Sequence, residues 1–387
     1  MLICDFTQFY SPVGGGVRRY LHEKRQFIDK FKSNLQHLLI VPGDRTLFYR
    51  ESDRLFTLKI GAPRIDPTSR YRILLNLPEL RKALREYQPR IIECGDPYHA
   101  AWAVLEEAND IHAACVGFYH SHFPDAYLRT TAKFIGNCAR DFLLDCAKHY
   151  IQRLYNKFHM TLTPSSHLCE VLTKWGVQRT KVLTLGVNEE VFHYGPADFD
   201  VRSKLGIDPK RIFLLHVGRL SREKNITTLL EAHKILHKEY SGCFHLHVVG
   251  DGPLRAQVTA AIHEIGNGLS WQAYIDDATQ LAALYRCADI FVHPGVHETF
   301  GLVTVEAQAC GLPVCGIRGT FMDEIILAHI DLWACRNTPR ELASAVLRFA
   351  SIKNNINRKE LASEAVKRFS WKKVFTKLLS YYNEALE

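Results

Sequence analysis

Short apolar runs alternate along this chain with longer stretches in which apolar residues recur every three or four positions. The runs predict buried strands that end at turn residues, and they lie at 2–6, 37–41, 91–94, 114–118, 212–217, 244–249 and 290–293. The longer stretches predict amphipathic helices between the strands, as at 17–31 and 226–240. This alternation predicts an α/β fold with two parallel sheets that carry helices on both faces.

A candidate linker lies near the middle of the chain. Residues 194–198 read Tyr-Gly-Pro-Ala-Asp, and adjacent glycine and proline favour irregular structure. We therefore predict one domain at 1–195, a second at 196–370 and a final helix at 371–387. A length of 387 residues is sufficient for two hydrophobic cores.

The composition excludes several classes of protein. Hydrophobic residues make up 47% of the chain and charged residues 23%, which is typical of globular proteins and not of fibrous or disordered ones. The first residues have no basic region before an apolar stretch, and no run reaches the roughly 18 apolar residues of a membrane span, so we expect a cytoplasmic protein. The 11 cysteines lack a C-x-x-C pair and the 19 histidines lack an H-E-x-x-H pattern. We expect reduced thiols and no metal site.

The net charge of +8 suggests an anionic partner. Residues 64–90 carry seven basic and three acidic side chains among regularly spaced leucines, which suits peripheral contact with the cytoplasmic face of an anionic membrane. The alternative is an amphipathic helix whose basic face is simply solvated. Nucleic acid is not expected, because no recognised binding module is present.

The most informative segment is His-Glu-Thr-Phe-Gly-Leu-Val-Thr-Val-Glu at 297–306. Its two glutamates, Glu298 and Glu306, have seven residues between them. The first follows the apolar run 290–294, and the second lies in a predicted helix at 304–310. In an open α/β sheet, ligands bind at the carboxyl ends of the strands, and the amides at a helix N-terminus favour phosphates. The segment therefore predicts a phosphate-ligand site with two added carboxylates.

Cations and glycines suited to a diphosphate follow other predicted strands. Arg219 and Lys224 come after the run at 212–217, where they can supply a planar guanidinium and a compact ammonium. Three glycines that include Gly15 and Gly16 follow the first strand and precede a helix, so the backbone there can approach a phosphate closely. The segment does not match the dinucleotide pattern G-x-G-x-x-G, so nicotinamide chemistry is not expected.

In their order and spacing, these motifs resemble those of glycosyltransferase family 4. The segments that carry the resemblance are 11–17, 118–124, 162–166, 185–188, 217–220, 224–225, 249–253 and 298–306. The resemblance implies a GT-B fold, with two Rossmann-like domains, a deep interdomain cleft and a C-terminal helix that crosses back to the first domain. It also implies a retaining, metal-independent hexosyltransferase. The donor would be a UDP- or GDP-linked sugar, with no separate cofactor, and the acceptor a glycan or a lipid-linked sugar.

The resemblance also implies a role for each site residue. Glu306 would bind the ribose, Glu298 would lie near the hexose, and His120, rather than the nearby His122, would contact the transferred sugar. The other implied contacts are Arg219, Lys224, Gly15 and Gly16 at the diphosphate, the backbone amides of Phe300, Gly301 and Leu302 at the phosphate or hexose, and Tyr274 and Ile275 beside the base.

Some features leave alternatives open. Asp276 and Asp277 could suggest a metal-bound donor, but they lack D-x-D spacing and the following Thr279 favours a helix N-cap. Residues 316–320 replace a glycine pair that is frequent in the family. Two other functions remain as alternatives: a nucleotide-sugar 2-epimerase of the same fold, which needs no acceptor, and a non-catalytic polyanion-binding protein, which would not require the cations and carboxylates together.

Overall fold

The computed structural model describes residues 1–10, 15–65, 71–120, 137–197 and 199–387, and it divides into two units. Unit 1 comprises Met1–Leu185 and Trp371–Glu387, and unit 2 comprises Gly186–Ser370. The sequence placed the boundary ten residues later, at 195. Residues 186–195 belong to unit 2 because Val187 forms a β-bridge with Ser370, and the ring of Phe192 packs on Tyr285.

Unit 1 contains eight described strands in one sheet. They are β1 (Leu2–Phe6), β2 (Gln36–Gly43), β3 (Leu47–Arg50), β4 (Leu55–Gly61), β5 (Ile91–Cys94), β6 (Ala114–Phe118), β7 (Met160–Thr163) and β8 (Thr180–Val182). Helices between them are α1 (Gly16–Phe31), α2 (Leu77–Tyr87), α3 (His99–Asp110), α4 (Asn137–Tyr155) and α5 (Ser166–Lys174). The spatial order is β3-β4-β2-β1-β5-β6-β7-β8. From β1 the chain builds the sheet first in one direction and then, from β5, in the other, so β1 and β5 flank the topological switch point.

The sheet of unit 1 is mixed, whereas the sequence pattern predicted a parallel one. Strand β3 pairs antiparallel with β4, whereas every other pair of neighbouring strands in this sheet is parallel. Only four residues separate β3 from β4. A connection this short permits a hairpin but not the crossover that a parallel pair requires.

Unit 2 has a smaller sheet, in which all described strands are parallel. They are β9 (Ile212–Val217), β10 (Phe244–Val249), β11 (Leu269–Gln272), β12 (Ile290–Val292) and β13 (Val314–Cys315), in the spatial order β11-β10-β9-β12-β13. Its helices are α6 (Phe199–Lys204), α7 (Ile226–Glu239), α8 (Arg255–Ile265), α9 (Ala278–Cys287), α10 (Leu302–Ala309), α11 (Pro339–Ile352) and α12 (Arg358–Phe369). The switch point of this sheet lies between β9 and β12, at the two strands that precede the cations and the first glutamate.

The last helix, α13 (Trp371–Leu386), packs in unit 1. The Trp371 and Phe375 rings stack at a centroid distance of 5.0 Å, and the Phe375 ring lies 5.8 Å from Tyr20 of α1. The helix also reaches a buried charge network through the hydroxyl of Tyr382, which donates to a carboxylate oxygen of Glu93 at 2.6 Å. The end of the chain is therefore part of the core of unit 1.

That network lies under β1 and β5. The ammonium of Lys24 contacts the carboxylates of Asp5 at 2.6 Å and Glu93 at 3.3 Å, and His37 Nε2 lies 2.7 Å from Asp5. All four side chains are at most 3% exposed. Burial alone would raise the pKa of Asp5, but the charge of Lys24 and the hydrogen bond of His37 lower it to about 2. Burial raises the pKa of Glu93, and the neighbouring Asp5 carboxylate raises it further, although the charge of Lys24 opposes the shift.

Within the predicted basic segment, Leu77–Tyr87 form the surface helix α2. In α2, Arg81 and Arg85 are ion-paired with Glu106 and Glu107 of α3, so part of the charge of its basic face is neutralised within unit 1. The described residues contain no helix with both the length and the apolarity needed to span a membrane.

Candidate functional site

The candidate site of unit 2 is built where two neighbouring strands end. Strand β9 leads through a loop to α7, and β12 leads through a second loop to α10. Asn225, in the left-handed conformation with φ 58°, precedes the first residue of α7. Its amide donates to the carbonyl of Pro294 at 2.8 Å, which ties the first loop to the second. Asparagine is one of the few residues that adopt this conformation readily, which explains why an asparagine follows Lys224 in the motif.

Lys224 and Glu298 form an ion pair that joins the two loops. Their side chains are 29% and 17% exposed, respectively, so both are partly withdrawn from solvent. Burial alone would raise the pKa of Glu298, but the charge of Lys224 and a hydrogen bond from the Gly301 backbone lower it below its ordinary value. Glu298 is therefore ionised at neutral pH. The site presents a cation and an anion in direct contact at the switch point.

Interlocking turns position Arg219. The Gly218 amide donates to the carbonyl of Val249 at 2.9 Å, and a Cβ on Gly250 would lie 1.9 Å from the carbonyl oxygen of Gly218. A Cβ on Gly252 would likewise lie 2.5 Å from the carbonyl oxygen of Leu220. The two glycines of the 249–253 motif thus let the loop after β10 pack against the loop after β9. Arg219, at the top of this junction, is exposed to solvent.

The start of α10 depends on Gly301. This residue has φ 71° and forms the N-cap, a conformation that residues with a Cβ rarely adopt. Leu302 follows as the first helical residue, where backbone amides lack partners within the helix. Phe300 is 1% exposed and its ring packs on Phe369, so that ring belongs to the core.

The remaining predicted residues of unit 2 occupy distinct positions. Glu306 lies in α10, is 3% exposed, and accepts a hydrogen bond from the Tyr285 hydroxyl at 3.4 Å. Tyr274, which is exposed, and Ile275 follow β11. Asp277 caps α9 by accepting from the Thr279 amide at 2.8 Å, as its sequence context indicated. The described residues contain no group of three or more His, Cys, Asp or Glu side chains suited to a metal.

Three predicted residues lie in unit 1. Gly15, with φ 104°, caps α1, and Gly16 begins it. His120 follows β6, and its ring stacks on Phe118 at 3.8 Å. Burial lowers the pKa of His120 to about 3, so its imidazole is neutral at physiological pH. The glycine motif before Gly15, His122 and the rest of its motif after 120 lie outside the described residues.

Two histidines at the site were missed by the sequence interpretation. His216 in β9 and His293, which follows β12, are 3% and 4% exposed. His216 Nδ1 lies 3.0 Å from the carbonyl of Val292, which makes that nitrogen the donor and leaves Nε2 as a buried acceptor. Burial lowers the pKa of each histidine to about 4. A histidine within one residue of the end of an apolar strand was the signal that could have identified them.

Buried histidines predict acid sensitivity of the fold. Besides those two and His120, the pKa values of His233, His245 and His247 are lowered to about 4, chiefly by burial. Because the unfolded chain binds protons near pH 6.5 and the folded chain does not, stability should decrease as the pH falls from about 6.5 toward 4. Asp96, whose pKa burial raises to about 6, and Glu93, whose pKa burial also raises, act in the opposite direction, but they are two groups against six histidines. Urea unfolding at pH 7 and pH 5 checks this, and equal midpoints would contradict it.

Comparisons with known proteins agree with this architecture. Residues 14–191 match the family described as Glycosyltransferase Family 4, and residues 198–368 match Glycosyl transferases group 1. The GDP-mannose-dependent alpha-(1-6)-phosphatidylinositol dimannoside mannosyltransferase of Mycobacterium tuberculosis is 26% identical over 98% of this chain and 95% of that protein. The GDP-mannose-dependent alpha-mannosyltransferase of Corynebacterium glutamicum is 25% identical over 90% of this chain and 81% of its own.

A solved structure shares the fold. Sucrose-phosphate synthase from Thermosynechococcus elongatus superposes with a TM-score of 0.80 at 18% identity, over 99% of this chain and 98% of its own. The predicted family and fold class are confirmed. The chain belongs to glycosyltransferase family 4, has the GT-B fold with two α/β domains, and is a hexosyltransferase.

Proposed function

We propose that the protein is a retaining, metal-independent mannosyltransferase that transfers mannose from GDP-mannose to a lipid-linked acceptor. The observation that carries the proposal is the Lys224–Glu298 ion pair at the switch point of unit 2. The cation is suited to a diphosphate and the carboxylate to sugar hydroxyls. The two mannosyltransferases that resemble this chain over most of its length support the choice of base and hexose.

The chemistry follows from charge. As the glycosidic bond breaks, the nucleoside diphosphate gains negative charge, which Lys224 and Arg219 stabilise in place of a metal ion. For this, the ammonium turns from Glu298 to the diphosphate when the donor binds, and the freed carboxylate accepts hydrogen bonds from the hexose. The leaving phosphate oxygen helps to deprotonate the acceptor hydroxyl on the same face of the sugar, so the anomeric configuration is retained and no side-chain nucleophile is required.

The acceptor proposal rests on unit 1 and on a relative. The M. tuberculosis relative is described as acting on a phosphatidylinositol dimannoside, which is a lipid-linked glycan. We extend this acceptor class to the present chain, with peripheral contact between unit 1 and a membrane. Since Arg81 and Arg85 are already ion-paired with α3, attraction to anionic lipid is the smaller part of that contact.

A thermal-shift panel of GDP, UDP, ADP and their sugars tests the donor. GDP and GDP-mannose should raise the melting temperature most, because a ligand at a hundred times its Kd adds about 2.7 kcal/mol to the free energy of unfolding. The Glu306→Gln variant should show a smaller GDP shift and a raised donor KM, with kcat changed less. This is because the proposed ribose contact is present both before and during the reaction.

The matched control and the product analysis separate the alternatives. Glu264→Gln, in an exposed ion pair at the end of α8, should keep the GDP shift of the unchanged protein. If only UDP sugars raise the melting temperature, the donor is a UDP sugar and not GDP-mannose. Epimerised sugar formed without acceptor would favour the 2-epimerase. Proton NMR of the first product formed reads the anomeric configuration, and an inverted anomer would contradict the retaining mechanism.

A further inference from the structure

A second concave site lies in unit 1, at the switch point between β1 and β5. The groove has a volume of about 580 Å³ and is formed by the segments that follow these strands, by the chain near residue 73 and by α4. Residues on its walls include Phe9, Ile73, Tyr98, Cys146 and Tyr150. Ligands of open α/β sheets bind at this place in the topology. None of the donor-site residues of unit 2 takes part in it.

The polar groups of the groove are already used within unit 1. The hydroxyl of Tyr150 donates to the carbonyl of Pro97 at 2.6 Å, and His99 Nε2 lies 2.6 Å from the carbonyl of Leu74. The Phe9 ring packs against Tyr98, with a centroid distance of 4.9 Å. These contacts turn the polar atoms toward the backbone, so the walls present aromatic faces and aliphatic carbons to the groove.

Exposed apolar side chains surround the groove. The rim consists of Ile65, Leu75, Phe142 and Leu143, which are 45%, 63%, 68% and 39% exposed. Ile65 itself lines the groove, and Leu75 lies two residues beyond Ile73. Phe142 and Leu143 lie one helical turn before the lining residues Cys146 and Ala147, and therefore on the same face of α4. An apolar groove with an apolar rim is unusual on a surface that faces only water.

The charge of the groove distinguishes between possible ligands. No Lys, Arg, Asp or Glu is among the described residues that line it. A phosphorylated sugar or an anionic headgroup would require fixed cations on the walls, as in the donor site of unit 2. A hydrocarbon chain requires only apolar area. The chemistry of the walls therefore fits the chain of a lipid and not its headgroup.

We propose that this groove binds a hydrocarbon chain of the lipid-linked acceptor, and that the rim inserts its apolar side chains into the membrane surface. The inference rests on the proposed function, since it concerns the acceptor of that reaction. It places membrane contact on Ile65, Leu75 and α4 instead of on the basic face of α2. Binding driven by apolar area does not depend on anionic lipid and is little affected by salt, whereas binding by a basic helix depends on both.

Vesicle sedimentation with the full chain tests the rim. Vesicles of phosphatidylcholine alone should bind the protein, and added salt should not release it. The Leu75→Ser/Phe142→Ser variant should bind these vesicles at least roughly tenfold more weakly, since two apolar side chains no longer leave water. As a matched control, Tyr240→Ser/Ile330→Ser removes two exposed apolar side chains of unit 2 and should bind as the unchanged protein does.

Alkylation of Cys146 by a small maleimide, followed by peptide mass spectrometry, tests the groove. This thiol is free, exposed and on the groove wall, while Cys243 and Cys335 are exposed in unit 2 and serve as internal references. Phosphatidylcholine vesicles should slow the alkylation of Cys146 several-fold and leave the two references unchanged. Equal slowing of all three, or no slowing at Cys146, would overturn the assignment.

Failure of the inference differs from failure of the proposed function. The inference would be overturned if the protein bound only anionic vesicles and was released at high salt, or if the rim variant bound as well as the unchanged protein. In either case GDP-mannose would still shift the melting temperature of the protein. Absence of any nucleotide-sugar shift would overturn the proposed function, and the Cys146 experiment would still report on the groove.

Discussion

Replacing Lys224 with alanine is expected to lower kcat by about a hundredfold to a thousandfold while leaving the fold intact. The ammonium is the partly buried cation at the switch point of unit 2, in contact with Glu298. Removing one preorganised group that stabilises charge in the transition state has this effect in other enzymes. The loss should appear in kcat and in kcat/KM alike, because the charge on the leaving diphosphate grows only as the bond breaks.

Saturating GDP-mannose and a stopped assay for released GDP provide the measurement. Lys234→Ala is the matched control, since Lys234 lies in α7, the helix that follows Lys224, and its ion pairs with Glu231 and Glu264 lie at the surface. Its kcat should be unchanged. Glu298→Gln should also lower turnover, and the double variant should lose less than the product of the two single losses, because the pair acts together. Normal turnover by Lys224→Ala would remove Lys224 from the mechanism.

The sequence predicted seven of the thirteen described strands, chiefly the central strands of the two sheets, because these are continuous apolar runs. Strands β1, β5, β6, β9 and β10 begin and end where the pattern placed them. Strand β3 was missed because it alternates little and is largely exposed, with Phe48 and Tyr49 facing solvent. The unit boundary was also displaced, because glycine and proline indicate a turn but do not report the long-range pairing of Val187 with Ser370.

Individual site residues were easier to predict than the contacts between them. The sequence indicated Lys224 and Glu298 separately, but their ion pair spans 74 positions and depends on which strands are neighbours. The need for glycine at position 250 likewise becomes apparent only in the structure, where a Cβ at this position would collide with the carbonyl oxygen of Gly218. His216 and His293 were overlooked because a single histidine in an apolar strand resembles an ordinary core residue. The roles of Glu306, Tyr274 and Ile275 toward a nucleotide remain predictions.

The charge network of unit 1 shows the same limit. Lys24 lies on the apolar face of α1, four residues after Tyr20 and four before Ile28. In the sequence it therefore looks like a break in the helical pattern of apolar residues. The two carboxylates that it contacts lie in β1 and β5, far apart in the sequence. No local pattern joins these three positions. They become one network only when the sheet places β1 beside β5.

Replacing Lys24 with methionine is expected to lower the free energy of unfolding by about 3–5 kcal/mol, the typical cost of leaving a buried charge without its partner. Methionine retains most of the apolar stem, so the loss reports the charge and not a cavity. Urea unfolding at pH 7 provides the measurement. Lys30→Met, at an exposed position of the same helix, should remain within about 0.5 kcal/mol of the unchanged protein.

The pH dependence of the variant identifies the cause of its instability. Lys24 and His37 hold the pKa of Asp5 near 2, below its ordinary value of 3.8, so Asp5 stabilises the fold above pH 4 and loses this contribution as the pH falls toward 2. Without Lys24 the pKa of Asp5 should rise, and acid unfolding should begin at a higher pH. Adding Glu93→Gln to Lys24→Met should restore part of the lost stability, because it removes a carboxylate that no longer has a cation. Additive losses in the double variant would mean that Lys24 acts through packing alone.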